Sequence, residues 1–412
     1  MRGSAASAPP GATAALRAGA ACTDITPTDL GRTFLAGFGF DRRAEGVLEA
    51  LAASALYLES GSARVALVSA DLLALPRPLV DEIRARVRGI AEKRAILCCA
   101  THTHSGPDTL GLWGRSLLGR VPISSGVDRE YLGWLAGRVA SCVDAAVERA
   151  VPARLRAASF EVPARWTRND RRGGARFDGA VALAFDDLAD RRIATLVNYA
   201  SHPETLWSEN RLVSPDFPGA FRRRSALLAG GIPLYVSGPL GAMLTPDVPR
   251  DAGIDERRSF CEALGSALAE RAEQELAGAE PQSEPTLRHA ARTVRLPNAN
   301  WRFRLFRRLG WLPALRRGGC VENDVHWLRV GDVEGVSAPG EVAPEVGARM
   351  REKLRARHRL ILGLCDDEVG YVLEPGMFDD PEYRYEATVS LGRDTAAMLL
   401  AAQDALVAEG WA

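Results

Sequence analysis

Histidine is scarce in this chain, with six residues in 412. Cysteine is sparse and odd in number, at seven, and forms no Cys-x-x-Cys pair. That excludes a disulfide framework and reads as reduced, packing-type usage, which predicts a cytoplasmic setting. Neither sign of charge is in excess, with 52 Lys+Arg against 52 Asp+Glu, which argues against a general nucleic-acid or polyanion binder. No apolar run approaches the roughly 20 residues that a membrane span needs. The N-terminus is rich in Ala, Ser, Pro and Gly and lacks the apolar stretch of a secretory signal. Residues 1–15 are expected to be a disordered leader and 16–412 one domain. Hydrophobic content of 47% and charge of 25% are those of an ordinary globular protein with a large core.

Two of the six histidines stand together in His102-Thr103-His104-Ser105-Gly106, directly after the apolar run 95–100. The run reads as a buried strand. Side chains two apart in an extended segment share a side, so His102 and His104 converge beyond the strand end. In open α/β sheets that is where ligands bind. A hydrogen-bonded pair in a loop is the plainer alternative; a metal site is the sharper one.

The pattern recurs. Apolar runs at 193–199, 234–236, 333–338 and 360–365 lead into Ser201-His202-Pro203-Glu204, Ser237-Gly238-Pro239, Pro339-Gly340-Glu341 and Asp366-Asp367-Glu368-Val369-Gly370-Tyr371. Five such runs predict one site at one edge of one sheet. Strands are expected at 53–59 and 64–70, joined by a Ser60-Gly61-Ser62 turn. A helix is expected over 78–93, with Leu79, Ile83, Val87 and Ile90 at helical spacing. Strand 64–70, this helix and the strand before the histidines form a βαβ unit. Further helices are expected at 131–150, 255–276 and 393–407, and a linker at 278–285. Trp301 to Trp311 interleaves aromatics with arginines. It is either a helix laid on the core with its arginine stems snorkelling or a peripheral membrane contact.

Zinc takes imidazole nitrogen and carboxylate oxygen, and catalytic sites keep one position open. The candidates are His102, His104, His202 and Glu341; Tyr371 reads by composition as a core tyrosine. His-Glu-x-x-His is absent. A His-x-His-x-Asp-His motif fails because Ser105 and Gly106 follow the pair. A barrel with a binuclear centre carries its His-x-His on the first strand, and here about a hundred residues precede it. A Gly-x-Ser-x-Gly elbow is lacking too.

Thr101-His102-Thr103-His104-Ser105-Gly106-Pro107 resembles the signature of the neutral/alkaline, non-lysosomal ceramidases. The likeness includes Ala18-Gly19-Ala20, Asp24-Ile25-Thr26-Pro27, Ala36-Gly37-Phe38-Gly39, Asn198 to Pro203, Ser214-Pro215-Asp216-Phe217-Pro218-Gly219, Pro339-Gly340-Glu341, and Gly370-Tyr371 with Tyr385-Glu386. The resemblance implies an α/β fold with a mixed β-sheet core flanked by helices and the site at strand carboxyl ends. It implies one Zn2+ held by His102, His202, Glu341 and Tyr371, with His104 as acid/base and Tyr385 as a second active-site tyrosine. It also places an arginine in Arg168-Asn169-Asp170-Arg171, taken as Arg168 with Arg171 the alternative. The implied reaction is hydrolysis of an acyl-amide small molecule, lipid-like in its acyl part.

Departures bear on the substrate. The family's Gly-Asp-Val-Ser-Pro segment reads here Gly241-Ala242-Met243-Leu244-Thr245-Pro246, so Thr245 is the candidate substrate-binding hydroxyl. No signal peptide or C-terminal immunoglobulin-like domain is read, which predicts a compact bacterial-type relative. The alternatives are the same fold acting on an ester or another amide, by hydrolysis or acyl transfer, and a metal-binding protein without catalysis. Trp207, Leu240, Met243 and Leu244 are expected to flank an apolar acyl pocket.

Overall fold

The computed structural model describes residues 15–282, 284–308 and 319–411. All of the expected 1–15 leader but Ala15, and the Leu309, Trp311 and Leu312 part of the aromatic–arginine segment, lie outside the described residues.

Eight strands make the larger sheet: β1 (Arg17–Asp24), β2 (Ala52–Ser60), β3 (Ala63–Ala70), β4 (Ile96–Ala100), β5 (Val151–Glu161), β6 (Gly179–Asp187), β7 (Arg192–Tyr199) and β8 (Ile232–Ser237). Their order is β8-β7-β6-β5-β1-β2-β3-β4. Four strands make the second sheet in sequence order: β9 (Leu287–Pro297), β10 (Cys320–Val330), β11 (Val333–Ser337) and β12 (His358–Leu362). The helices of eight residues or more are α1 (Arg77–Arg86), α2 (Arg129–Glu148), α3 (Phe217–Ala229), α4 (Ile254–Ala277), α5 (Trp301–Arg308), α6 (Pro344–Lys353) and α7 (Thr395–Trp411), and a single helical turn, Arg384–Thr388, carries Tyr385.

The larger sheet bends into two halves at β1–β5, which pair only through Arg17↔Pro152 and Ala18↔Val151. Both halves and the second sheet turn one face inward onto a shared apolar core that includes Leu56, Leu67, Leu97, Leu183, Leu196, Leu328 and Leu360. Each outer face is covered by helices: α1 and α2 over β1–β4, α4 over β5–β8, α6 and α7 over the second sheet. Buried on both sides, β4 and β8 read as continuous apolar runs rather than alternating ones.

The β2–β3 hairpin turns at Gly61, whose positive φ of 58° suits glycine. β3, α1 and β4 form the expected βαβ unit, with β3 and β4 parallel. The helix expected to reach residue 93 stops at Arg86. Asp144 of α2 accepts the backbone N–H groups of Arg88 and Gly89 at 2.9 and 2.8 Å and draws the chain out of the helix. Val87 and Ile90 are nonetheless buried.

The five apolar runs end in one place, but not on one sheet. β4, β7 and β8 belong to the larger sheet, and β11 and β12 to the second. Their ends are laced together: Ala100 N–H to Leu364 O, Gly363 N–H to Ser237 O, Gly238 N–H to Tyr199 O, and Ser237 Oγ to Thr101 O, at 2.9–3.2 Å. Among the described residues no helix is long and apolar enough to cross a membrane.

Candidate metal centre

His102 follows β4 with a positive φ of 73°, a strained conformation of the kind that collects at functional sites. Its Nδ1–H donates to Leu73 O at 2.8 Å. His202 follows β7, and its Nδ1–H donates to Leu244 O at 2.7 Å. A carbonyl only accepts, so both rings are fixed with Nε2 facing inward. Both Nε2 atoms meet Glu341, at 3.6 Å for His102 and 3.0 Å for His202. Glu341 lies in a two-residue strand paired in register with Tyr371. The preceding Gly340 has φ +82°, and a Cβ there would meet Gly370 O at 2.4 Å.

Burial opposes ionisation of Glu341, but the charge of His102 and the hydrogen bond and charge of His202 hold its carboxyl well below the usual range. Burial likewise opposes charge on His202; the Glu341 hydrogen bond and the Glu204 charge outweigh it and raise it to about 9. Without a metal, a proton on His202 balances Glu341. The donor set fits a divalent cation: two imidazole nitrogens, each steered from behind by a carbonyl, and a buried carboxylate. The Tyr371 phenol donates to Met243 Sδ at 3.6 Å. Burial and the Glu341 charge push that phenol well up.

His104 completes a group with His102 and His202 whose ring nitrogens lie within 4.8 Å of one another. Its ring stands edge-on to both, at 5.0 and 5.7 Å between centroids. Its Nδ1 lies 3.2 Å from Glu204 Oε2, close but not aligned as a hydrogen bond, and neither ring nitrogen has a hydrogen-bond partner. Burial and its two neighbouring histidines hold His104 well below the ordinary imidazole value, so it stays neutral. Gly37, with φ +101°, packs under this ring; a Cβ would sit 2.4 Å from His104 Cγ.

His102, His104, Glu204, Glu341 and Tyr371 line a cavity of about 580 Å³ whose walls are largely apolar, including Phe38, Leu110, Trp113, Trp207, Met243 and Phe303. Tyr371 and Tyr385 line it with rings 6.0 Å apart, and Tyr385 is 53% exposed at the mouth. Four residues expected at the site, Arg168, Thr245, Leu240 and Leu244, do not line the cavity. The Arg168 guanidinium is committed to Asp170, Asp247 and Val248 O. Arg171 does line the cavity, braced by Glu386 Oε1 at 2.5 Å. Thr245 is likewise off the wall, and it is buried. Leu240 and Leu244 are core residues rather than wall, whereas Trp207 and Met243 are wall.

The sequence reading missed three acids in the cavity. Glu204 stood in view two residues after His202. Asp367 and Glu368 occupy the run before Tyr371. Burial pushes Asp367 up to about 6 and Glu368 well above the carboxylate range.

Fold and site together define a mixed α/β protein with a histidine–carboxylate cluster at converging strand ends. No protein-family model matches the chain, and no curated relative does. Among solved structures it superposes on the neutral ceramidase from Pseudomonas aeruginosa with a TM-score of 0.76, at 18% identity, over 97% of this chain and 75% of that one. It superposes on a structure of ceramidase complexed with C2 with a TM-score of 0.77, at 17% identity, over 96% of this chain and 75% of that one. The chain has the neutral ceramidase fold, as the resemblance in its sequence implied.

Proposed function

We propose that this protein is a zinc-dependent amide hydrolase of the ceramidase type, with one Zn2+ per chain held by His102, His202, Glu341 and Tyr371. The observation that carries the reading is the pair of Nε2 atoms, each locked by a backbone carbonyl, converging on Glu341 inside an apolar cavity. A divalent metal held there supplies Lewis acidity, polarising a carbonyl and making water acidic enough to attack at neutral pH.

The chain's own residues supply the rest. His104 is neutral, reaches the cavity and is backed by Glu204, the arrangement of a general base with an orienting carboxylate. It takes a proton from water as the new C–O bond forms and returns it to the amine nitrogen as the C–N bond breaks. The products are a carboxylate and an amine. Arg171, positioned by Glu386, and the phenol of Tyr385 face the same space and donate to the oxyanion that develops on the carbonyl oxygen. The apolar walls exclude water and hold the acyl chain.

The test is metal analysis of the purified protein together with a screen of N-acyl amides and esters. One zinc per chain and amide turnover, both lost in H202A, support the reading. Two tightly bound metals, or turnover of esters alone, refute it.

A further inference from the structure

Of the fifteen large hydrophobic residues exposed among the described residues, seven are Tyr385, which lines this cavity, and six residues on two segments that run on from its wall residues Trp113 and Phe303. Four of them, Leu117, Leu118, Val121 and Ile123, lie on the small hairpin of Ser116–Leu117 and Val121–Pro122. This hairpin springs from the rim. Trp113 lines the cavity, and Ser116 N–H donates at 3.0 Å to Asp41, the neighbour of the wall residue Phe40.

The tip is built against local preference. Leu118 and Gly119 at the turn have φ of +54° and +68°. Turns with two positive φ angles are made of Asn, Asp and Gly, because other L side chains clash there. Leu118 is 89% exposed, so no packing within the protein compensates for this conformation. Strain held at an exposed apolar tip points to a contact made outside the chain.

From another part of the wall, α5 presents Trp301 and Leu305 to solvent while Phe303 lines the cavity. Its base is tied down by Asn300 Nδ2, which donates to Thr388 O and Ser390 O at 2.9 and 2.8 Å. The helix carries four arginines and no acid, with Arg302 stacked over the Trp301 ring at 4.9 Å. Arg115 and Arg120 flank the hairpin tip.

We propose that this rim is a docking surface for a lipid bilayer bearing anionic headgroups, with the hairpin as an apolar tip and α5 as a basic, aromatic shelf. Apolar side chains beside arginine and an interfacial aromatic are what a headgroup layer accepts. The arginines complement anionic lipid. A narrow hairpin tip offers a folded protein partner little area, whereas it enters a headgroup layer without a matching groove. Docked this way, the cavity opens toward the membrane. The inference goes beyond the amidase reading and does not depend on it.

Flotation of the full chain with phosphatidylcholine vesicles, with and without phosphatidylglycerol, tests it. Binding is expected with phosphatidylglycerol and much weaker without. L118N suits the positive φ better than leucine and keeps the fold, yet it and W301A should each weaken partitioning by roughly tenfold or more. R304Q and R308Q should each weaken it about fivefold on anionic vesicles only. L227N, at an exposed leucine of α3, is the control and should bind as wild type. Failure of the wild type to float overturns the proposal, as does equal binding by wild type, L118N and W301A. A lipid-free dimer that L118N dissolves would make the tip a protein interface and overturn it as well. Because flotation is read without turnover, a protein that binds vesicles but cleaves no amide would sink the amidase reading alone.

Discussion

His104 decides between two ways of assembling the centre. Its ring nitrogens lie within reach of those of His102 and His202, so a three-histidine metal site is geometrically open to it. The alternative holds the metal on His102, His202, Glu341 and Tyr371 and leaves His104 as the base. The structure favours the second. The Nε2 atoms of His102 and His202 meet Glu341, whereas His104 Nδ1 turns to Glu204, 3.2 Å away. In H104A the carboxylate and both other imidazoles remain, so metal content should be unchanged. The lost proton transfer should cost about 10²–10⁴ in kcat, roughly 2.7–5.4 kcal/mol of barrier. E204Q keeps the imidazole but loses its orienting charge, and a smaller loss of about 10–100-fold is expected. Metal is measured on dialysed protein by mass spectrometry, turnover on an N-acyl amide, and folding by thermal midpoint. Loss of metal from a folded H104A would show that His104 is a ligand and refute the assignment. So would a kcat within about threefold of wild type.

Four further outcomes follow from the same structure. Arg171→Gln should lower kcat by about 10²-fold or more, as loss of an oxyanion donor does, while Arg168→Gln leaves kcat near wild type; the reverse result would restore Arg168 to the site. Across an N-acyl series, kcat/KM should rise about fourfold per methylene until the cavity is full, at ~0.8 kcal/mol per buried CH₂; a flat dependence would reject a lipid-like substrate and leave the metal site standing. Gly37→Ala should displace the His104 ring and cut activity with metal retained, since the added Cβ lands 2.4 Å from Cγ; unchanged kcat would count against His104. Finally, burial and His326 hold His289 down to about 3 from 6.5, so the folded state binds this proton more weakly than the unfolded chain. Stability is therefore full above pH 6.5 and declines toward pH 3, and His289→Gln should flatten that decline in the thermal midpoint.

The chemistry of the site was more legible than the strands that frame it. Two histidines in His-Thr-His, one in Ser-His-Pro and a glutamate in Pro-Gly-Glu each follow an apolar run, and strand ends are where side chains are free to converge. Glu204 escaped because a lone glutamate is usually solvated; only the structure shows it 2% exposed behind His104. Arg168 and Arg171 lie three residues apart on one loop. Nothing local says which has its charge spent: Arg168 meets Asp247, 79 residues away, and Arg171 meets Glu386, 215 residues away. Strand β6, Gly-Ala-Val-Ala-Leu-Ala-Phe, is alanine-rich and has no period of its own.

Strand β10 shows most clearly why sequence pattern runs out. It contains Glu322, Asn323, Asp324 and His326, a composition that reads as loop, yet Asn323, Asp324 and His326 are buried. The partners of Asp324 and His326 come from elsewhere in the chain. Asp324 accepts from Arg77 at 3.1 Å and Arg84 at 3.2 Å, and His326 Nε2 meets Asp366 at 2.6 Å. Asp366 also binds Arg84 and the Cys98 N–H, which ties β10 and α1 to the start of β4. The same residue opens the segment Asp366-Asp367-Glu368 that walls the cavity. Arg84 and Cys98 therefore set the position of a wall of the site although neither touches it. D366N would leave buried Arg84 with Asp324 as its remaining carboxylate and take the charge from beside His326, at a cost of up to about 3–5 kcal/mol. It should also loosen the segment that carries Tyr371, so a variant that still folds is expected to lose metal affinity as well as stability. Destabilisation of that size with metal affinity intact would show that the polar cluster supports the fold alone.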